Sequence, residues 1–142
     1  TTCGELPCAV GRFLRADECI TSGGLNAMRD NGRKVGAWVD ANGSNRPRPA
    51  DPFAIQNSTG LIVHVGIIVD ASGPVWKTAD AGQGGRGAGQ RAEYILRPYD
   101  AKTVTVGGPG TKYVEGQGWT GASGPRRVAG WYDIDKAPGA TP

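Results

Sequence analysis

The feature that most constrains the fold is a run from Leu61 to Val69 in which β-branched residues predominate. Such a run favours an extended strand, because a branched Cβ is restricted in a helix and packs well on a pleated sheet. The turn pair Ser72-Gly73 follows, and Val75 to Thr78 is predicted to return as the second strand of a hairpin. An antiparallel strand pair therefore forms the middle of the chain.

Shorter elements flank this hairpin. The spacing of apolar residues predicts a short helix that begins near Pro7 and a second helix from Asn26 to Val35. Further strands are predicted at Trp38–Val39, Phe53–Ile55, Ala92–Leu96, Val104–Val106 and Val128–Ile134. Helices followed by antiparallel strands indicate an α+β fold, and 142 residues are the length of one domain, 1–142.

Charge and hydropathy argue against several classes of protein. The net charge of +3 is not concentrated in a basic run, and short basic groups such as Arg46-Pro47-Arg48 and Arg126-Arg127 stand in turn-rich context. We therefore expect no nucleic-acid binding. No apolar run approaches the roughly 20 residues that span a bilayer, so no membrane insertion is expected. Three cysteines without a CxxC pair and one histidine are a poor zinc set, and we expect neither a metal nor a cofactor.

One cysteine and the lone histidine suggest nucleophilic catalysis. A cysteine attacks a carbonyl as the thiolate, and its pKa falls at a helix N-terminus or beside an imidazolium. Cys3 just precedes the first predicted helix, and His64 lies in the strongest predicted strand, where its ring would be held rigidly. The alternative interpretation is that His64 is a satisfied residue of the core or surface.

Three segments resemble the NlpC/CHAP superfamily of papain-like cysteine peptidases and amidases. They are Thr2-Cys3-Gly4 before a helix, Arg48-Pro49-Ala50-Asp51-Pro52-Phe53, and His64-Val65-Gly66-Ile67-Ile68-Val69. The resemblance covers roughly residues 1 to 80, and Ala50 stands where the family usually has glycine in a Pro-Gly-Asp turn. It implies a papain-like/NlpC-like α+β fold with N-terminal helices packed on an antiparallel β-sheet. It also implies Cys3 as nucleophile and His64 as its base.

A third polar residue should orient the imidazole. A carboxylate does so best, because it accepts a hydrogen bond from the second ring nitrogen and stabilises the imidazolium. On the returning strand the candidates are Thr78 and Asp80, followed by Gln83, and we predict Asp80. The alternative is that Asp80 only forms a turn before Ala81-Gly82.

Cys8 is the rival nucleophile, because a first helical residue at Pro7 would place Cys8 in the first turn. Alternatively, Cys8 pairs with Cys19 in an oxidising compartment or is a buried, inert thiol. The resemblance favours Cys3, and we predict that any disulfide joins Cys8 to Cys19, because a bridged Cys3 could not act.

The resemblance implies a hydrolase that cleaves amide bonds in bacterial peptidoglycan peptides. The start at Thr1, without Met, suggests a toxin-like piece of a longer chain, secreted or periplasmic and acting on the cell wall. A cognate immunity or inhibitor protein would then be its partner. Two alternatives stay open: a papain-like toxin that cleaves or deamidates a protein, and a non-catalytic wall-binding domain.

Overall fold

A computed structural model describes Pro7 and residues 24–81, 92–107, 112–114, 118–120 and 125–138. Within these ranges there is one α-helix, α1 (Leu25–Val35), and a short 3-10 helix, Ile134–Lys136. The strands are β1 (Trp38–Asp40), β2 (Pro52–Gln56), β3 (Ile62–Asp70), β4 (Val75–Ala81), β5 (Ala92–Asp100), β6 (Thr105–Val106), β7 (Lys112–Val114), β8 (Gly118–Thr120) and β9 (Arg126–Tyr132).

Six of the strands close into an antiparallel barrel. Their order is β9-β2-β3-β4-β5-β6, and β6 pairs in turn with β9, through Thr105 opposite Arg127 and Val106 opposite Arg126. β1 adds to the outside of this ring by pairing with β9, and β7 and β8 form a separate two-stranded sheet. The strand pairs β2–β9, β2–β3 and β3–β4 each contain a register shift, and such bulges increase the bend and twist that a closed sheet requires.

The prediction of an α+β, papain-like/NlpC-like fold with N-terminal helices packed on an antiparallel sheet is wrong. The described part of the chain is mostly β, and its sheet closes on itself rather than serving as an open platform for helices. The second predicted helix, Asn26 to Val35, is present as α1. The first, apart from Pro7, lies outside the described residues. The barrel closes because β6 pairs with β9. These two strands lie about 20 residues apart in the sequence, and no local pattern predicts that they pair.

Alternation along the strands divides the core into two layers. Successive residues of a strand point to opposite faces of the sheet. Phe53 and Ile55 therefore face the barrel interior, whereas Ala54 faces α1. The interior cluster contains Phe53, Ile55, Ile68, Trp76, Val106, Val128 and Trp131, and the outer cluster contains Met28, Ala54, Val65, Tyr132 and Ile134. The helix thus covers one outer side of the barrel, and the inward-facing residues of β2, β3 and β4 fill the interior.

The turn before β2 is held by a buried carboxylate. Asp51 is 2% exposed and accepts hydrogen bonds from the backbone N–H groups of Arg48 at 2.9 Å and Ile134 at 3.1 Å. Burial raises the pKa of Asp51, although these two hydrogen bonds act in the opposite direction. Ala50 has a φ of 76°, a left-handed conformation in which glycine is the usual residue. The Pro-Ala-Asp segment therefore serves as a structural connection into β2.

Candidate functional site

Neighbouring strands β3 and β4 bring His64 and Asp80 together inside the barrel. The Nε2 atom of His64 lies 2.5 Å from Oδ2 of Asp80, and the two residues are 5% and 0% exposed. The predicted contact between them is therefore present. Because β4 continues to Ala81, Asp80 is a strand residue that faces inward, and the alternative of a turn-forming aspartate is wrong.

Gly66 gives the carboxylate the space that it occupies. It lies two positions after His64, so both residues face the same side of β3. A Cβ atom on Gly66 would overlap the Asp80 carboxylate and would lie 2.8 Å from the ring of Phe53. The third position of the His64-Val65-Gly66 segment therefore requires glycine for steric reasons, because a side chain there would push Asp80 away from the imidazole.

Two further polar side chains hold Asp80 from the other side. The hydroxyl of Thr78 donates a hydrogen bond to Oδ1, and Nη2 of Arg97 donates one to Oδ2 at 3.1 Å. Nε of Arg97 also donates to Oγ1 of Thr78 at 3.2 Å, and Thr78 and Arg97 are both 0% exposed. We call Thr78, Asp80, Arg97 and His64 the buried polar cluster.

The cluster keeps Asp80 ionised. Burial by itself raises the pKa of this carboxyl, but the hydrogen bond from His64, the charge of Arg97 and the hydroxyl of Thr78 outweigh it. The pKa of Asp80 consequently lies below its ordinary value of 3.8. A carboxylate that stays charged in the interior can fix the orientation of an imidazole and stabilise its protonated form.

Sequence reasoning missed Arg97. The predicted strand Ala92–Leu96 ended one residue before it, whereas β5 continues through Pro98 to Asp100 and turns Arg97 inward. The available signal was alternation, since Ile95, Arg97 and Tyr99 occupy every second position and Ile95 and Tyr99 are candidates for the core. A buried arginine also needs an anionic partner, and Asp80 supplies it.

Aromatic contacts fix the ring of His64 within the cluster. Phe53 packs edge-on against it, with ring centroids 6.3 Å apart and an interplanar angle of 71°. The guanidinium of Arg97 lies 5.7 Å from the centroid of the same phenylalanine. The Phe53 ring therefore lies near both His64 and Arg97, and its centroid is 6.0 Å from that of Trp76.

The other predicted site residues divide into two groups. Cys3, Cys8, Cys19 and Gln83 lie outside the described residues, so the proposed nucleophile, its rival and the predicted disulfide stay predictions. Thr78, the alternative third member, lies in the cluster but bonds to Asp80, and it therefore supports the carboxylate.

This geometry can perform proton transfer. Asp80 is hydrogen-bonded to Nε2 of His64. A proton exchanged between His64 and a reacting group would therefore be carried on Nδ1. Within the described ranges no group of three or more His, Cys, Asp or Glu side chains is placed to hold a metal ion. No described helix is long and apolar enough to cross a membrane.

Comparison of the chain with protein-family models, with curated proteins and with solved structures finds no match.

Proposed function

We propose that this chain is a cysteine hydrolase, an amidase or endopeptidase, that cleaves amide bonds in bacterial peptidoglycan peptides. Cys3 would be the nucleophile, His64 the group that carries the proton, and Asp80 the residue that orients His64. The observation that carries the proposal is the buried His64–Asp80 contact of 2.5 Å, in which Asp80 is held by Thr78 and Arg97.

The buried cluster supports acid–base work more than simple core packing. A buried ion pair is weak support for stability, because two charges lose their hydration and an apolar pair of similar volume is often as stable. Here His64, Asp80 and Arg97 take core positions that apolar residues could fill. A charged carboxylate behind an imidazole, in contrast, is the arrangement that raises the basicity of a histidine and stabilises its cation during catalysis.

The proposed reaction has two stages. The thiolate of Cys3 attacks the carbonyl carbon, the C–N bond breaks, and His64 gives its proton to the departing amine. His64, now neutral, then takes a proton from water, which attacks the thioester; the C–S bond breaks, the carboxylic acid leaves, and the thiolate–imidazolium pair forms again. Asp80 stays ionised throughout and stabilises the imidazolium, which is present before the first proton transfer and after the second.

The choice of substrate rests on the resemblance of Thr2-Cys3-Gly4 and His64 to Val69 to the NlpC/CHAP superfamily. The resemblance is carried by local motifs, and the His64–Asp80 pair needs only two neighbouring strands, so the correction to the fold leaves both in place. The same proposal requires a secreted or periplasmic domain that reaches the cell wall. It also accommodates an immunity or inhibitor protein in the producing cell.

Digestion of purified peptidoglycan tests the proposal. We expect the wild-type chain to release new peptide fragments, identified by mass spectrometry, and we expect Cys3→Ala and His64→Ala to release none. Cys8→Ala is the matched control and should retain activity. Activity that survives Cys3→Ala but not Cys8→Ala would transfer the nucleophilic role to Cys8. Equal digestion by the wild type and His64→Ala would overturn the mechanism.

A further inference from the structure

A groove of about 670 Å³ lies where β2 ends and β3 and β9 begin. Its lining residues are Gln56, Asn57, Ser58, Val63, Pro125, Arg126 and Arg127. Arg126 and Arg127 are the first two residues of β9, and Gln56 is the cross-strand partner of Arg127. An amide and a guanidinium therefore stand side by side at the groove.

The two groove arginines differ from the other described arginines. Each of the five others has a protein acceptor: a backbone carbonyl for Arg29 and Arg46, and a carboxylate for Arg33, Arg48 and Arg97. Among the described residues, no acceptor or carboxylate bonds to Arg126 or Arg127, and none of the described residues that line the groove is acidic. Arg126 and Arg127 thus line a concave surface and have no hydrogen-bond acceptor among the described residues.

The part of the groove formed by the β2–β3 turn is preformed. The side-chain oxygen of Asn57 accepts hydrogen bonds from the Thr59 N–H at 3.0 Å, the Thr59 hydroxyl at 2.7 Å and the Leu61 N–H at 3.0 Å. These bonds fix the β2–β3 turn, so this part of the groove need not be ordered on binding. Rigid walls lower the entropic cost of holding a ligand.

The groove is adjacent to the buried polar cluster through the backbone. Val63 directly precedes His64, and Gln56 directly follows Ile55, which pairs with His64 across the strands. Successive strand residues face opposite sides, so Val63 and the groove lie on the outer face of the strand that carries the inward-facing imidazole. The exposed side chain of Val63 (39%) offers apolar contact in the groove.

We infer that this groove binds a free carboxylate of the substrate peptide, with Arg126 and Arg127 as the residues that recognise it. The planar guanidinium fork matches a carboxylate through two parallel hydrogen bonds. The inference rests on the proposed function for the identity of the substrate, a peptidoglycan stem peptide that carries free carboxylates. It makes acidic peptides, rather than their amidated counterparts, the preferred ligands.

Binding is measured by calorimetry on the Cys3→Ala chain, which keeps the groove and removes the proposed nucleophile. The probes are a peptidoglycan stem tripeptide with free carboxylates and the same tripeptide fully amidated. We expect the acidic peptide to bind more tightly and Arg126→Gln/Arg127→Gln to weaken it by about tenfold to a hundredfold, since charge-assisted hydrogen bonds are lost. The double variant should bind both peptides equally.

A matched control removes the same charge elsewhere. Lys77→Gln/Lys102→Gln replaces two exposed lysines that do not line the groove, and it should change affinity by less than about twofold once salt screens distant charges. Arg127→Lys keeps the charge but loses the fork, so its affinity should fall between the wild type and the double variant. Thermal melting shows whether each variant is folded.

The result separates the groove from the catalytic proposal. Equal affinity for the acidic and amidated peptides, or an unchanged affinity in the folded double variant, overturns the groove even if the wild type digests peptidoglycan. Carboxylate-selective binding that depends on both arginines supports the groove even if His64→Ala leaves digestion unchanged.

Discussion

Replacing Arg97 with methionine should destabilise the protein strongly. Methionine has a similar length but no charge, so Arg97→Met leaves the fully buried Asp80 carboxylate without the guanidinium 3.1 Å away. It also removes the donors to Thr78 at 3.2 Å and to the Gly107 carbonyl at 3.3 Å. Removing one partner of a buried ion pair costs about 3–5 kcal/mol, a large part of the roughly 5–15 kcal/mol that stabilises a domain.

A double-mutant cycle isolates the contact. Free energies of unfolding are measured by urea denaturation for the wild type, Arg97→Met, Asp80→Asn and the double variant. We expect the double variant to lose at least about 1 kcal/mol less than the sum of the single losses, because the second substitution removes the charge that the first left unpaired. The melting temperature of Arg97→Met should fall by about 10 °C or more at roughly 3 °C per kcal/mol.

The exposed pair Arg33–Asp40, 3.4 Å apart, is the matched control. Arg33→Met should cost less than about 1 kcal/mol, because water and salt screen such a pair. A loss below 1 kcal/mol for Arg97→Met, or simple additivity with Asp80→Asn, would refute the view that these two residues form a coupled buried pair.

Three further predictions follow from single residues. Gly66→Ala should destabilise the protein by about 1–3 kcal/mol and lower turnover, because the new methyl group displaces Asp80; Gly73→Ala, with open space at its Cβ, should do neither in the same assays. Ala50→Gly should stabilise the protein by about 0.5–1 kcal/mol in urea denaturation, because Ala50 has a φ of 76°; any destabilisation contradicts this. The pKa of Asp80 is lowered, so the stability that its ionisation contributes is present above its ordinary value of 3.8 and is lost as pH falls through its lower folded value. The stability difference between wild type and Asp80→Asn should therefore narrow as pH falls through this range, and a difference that does not change there would contradict the account.

Most strands of the barrel could be predicted from the sequence, but β7, β8 and the closure of the barrel could not. Leu61 to Val69 and Val75 to Thr78 carry the branched residues and the turn that specify a hairpin, and the structure has β3 and β4 there. In contrast, the partners of β9 are strands from distant parts of the chain, including β2 and β6. A local pattern fixes which residues are extended and which face is apolar, but it does not say whether a sheet stays open or closes.

The candidate site shows the same division. Asp80 could be predicted because it lies two strand positions beyond Thr78 on the hairpin that carries His64, and a hairpin brings such residues together. Arg97 was harder to predict, because apart from its alternation with Ile95 and Tyr99 its place in the interior depends on β5 pairing with β4, where Trp76 lies opposite Arg97. The sequence alone gives an arginine next to a proline, which does not indicate a strand interior.

The most direct test of the central claim is the rate at which iodoacetamide alkylates each cysteine between pH 5 and 9, resolved by peptide mapping. We predict that Cys3 reacts fastest near neutral pH in the wild type, because a thiolate beside His64 is stabilised. His64→Ala should slow the reaction of Cys3 at neutral pH and leave Cys8 and Cys19 unaffected, and Asp80→Asn should slow it as well. If all three cysteines react with the pH dependence of an ordinary thiol and His64→Ala changes none of them, no cysteine is activated by His64, and the proposed hydrolase is contradicted.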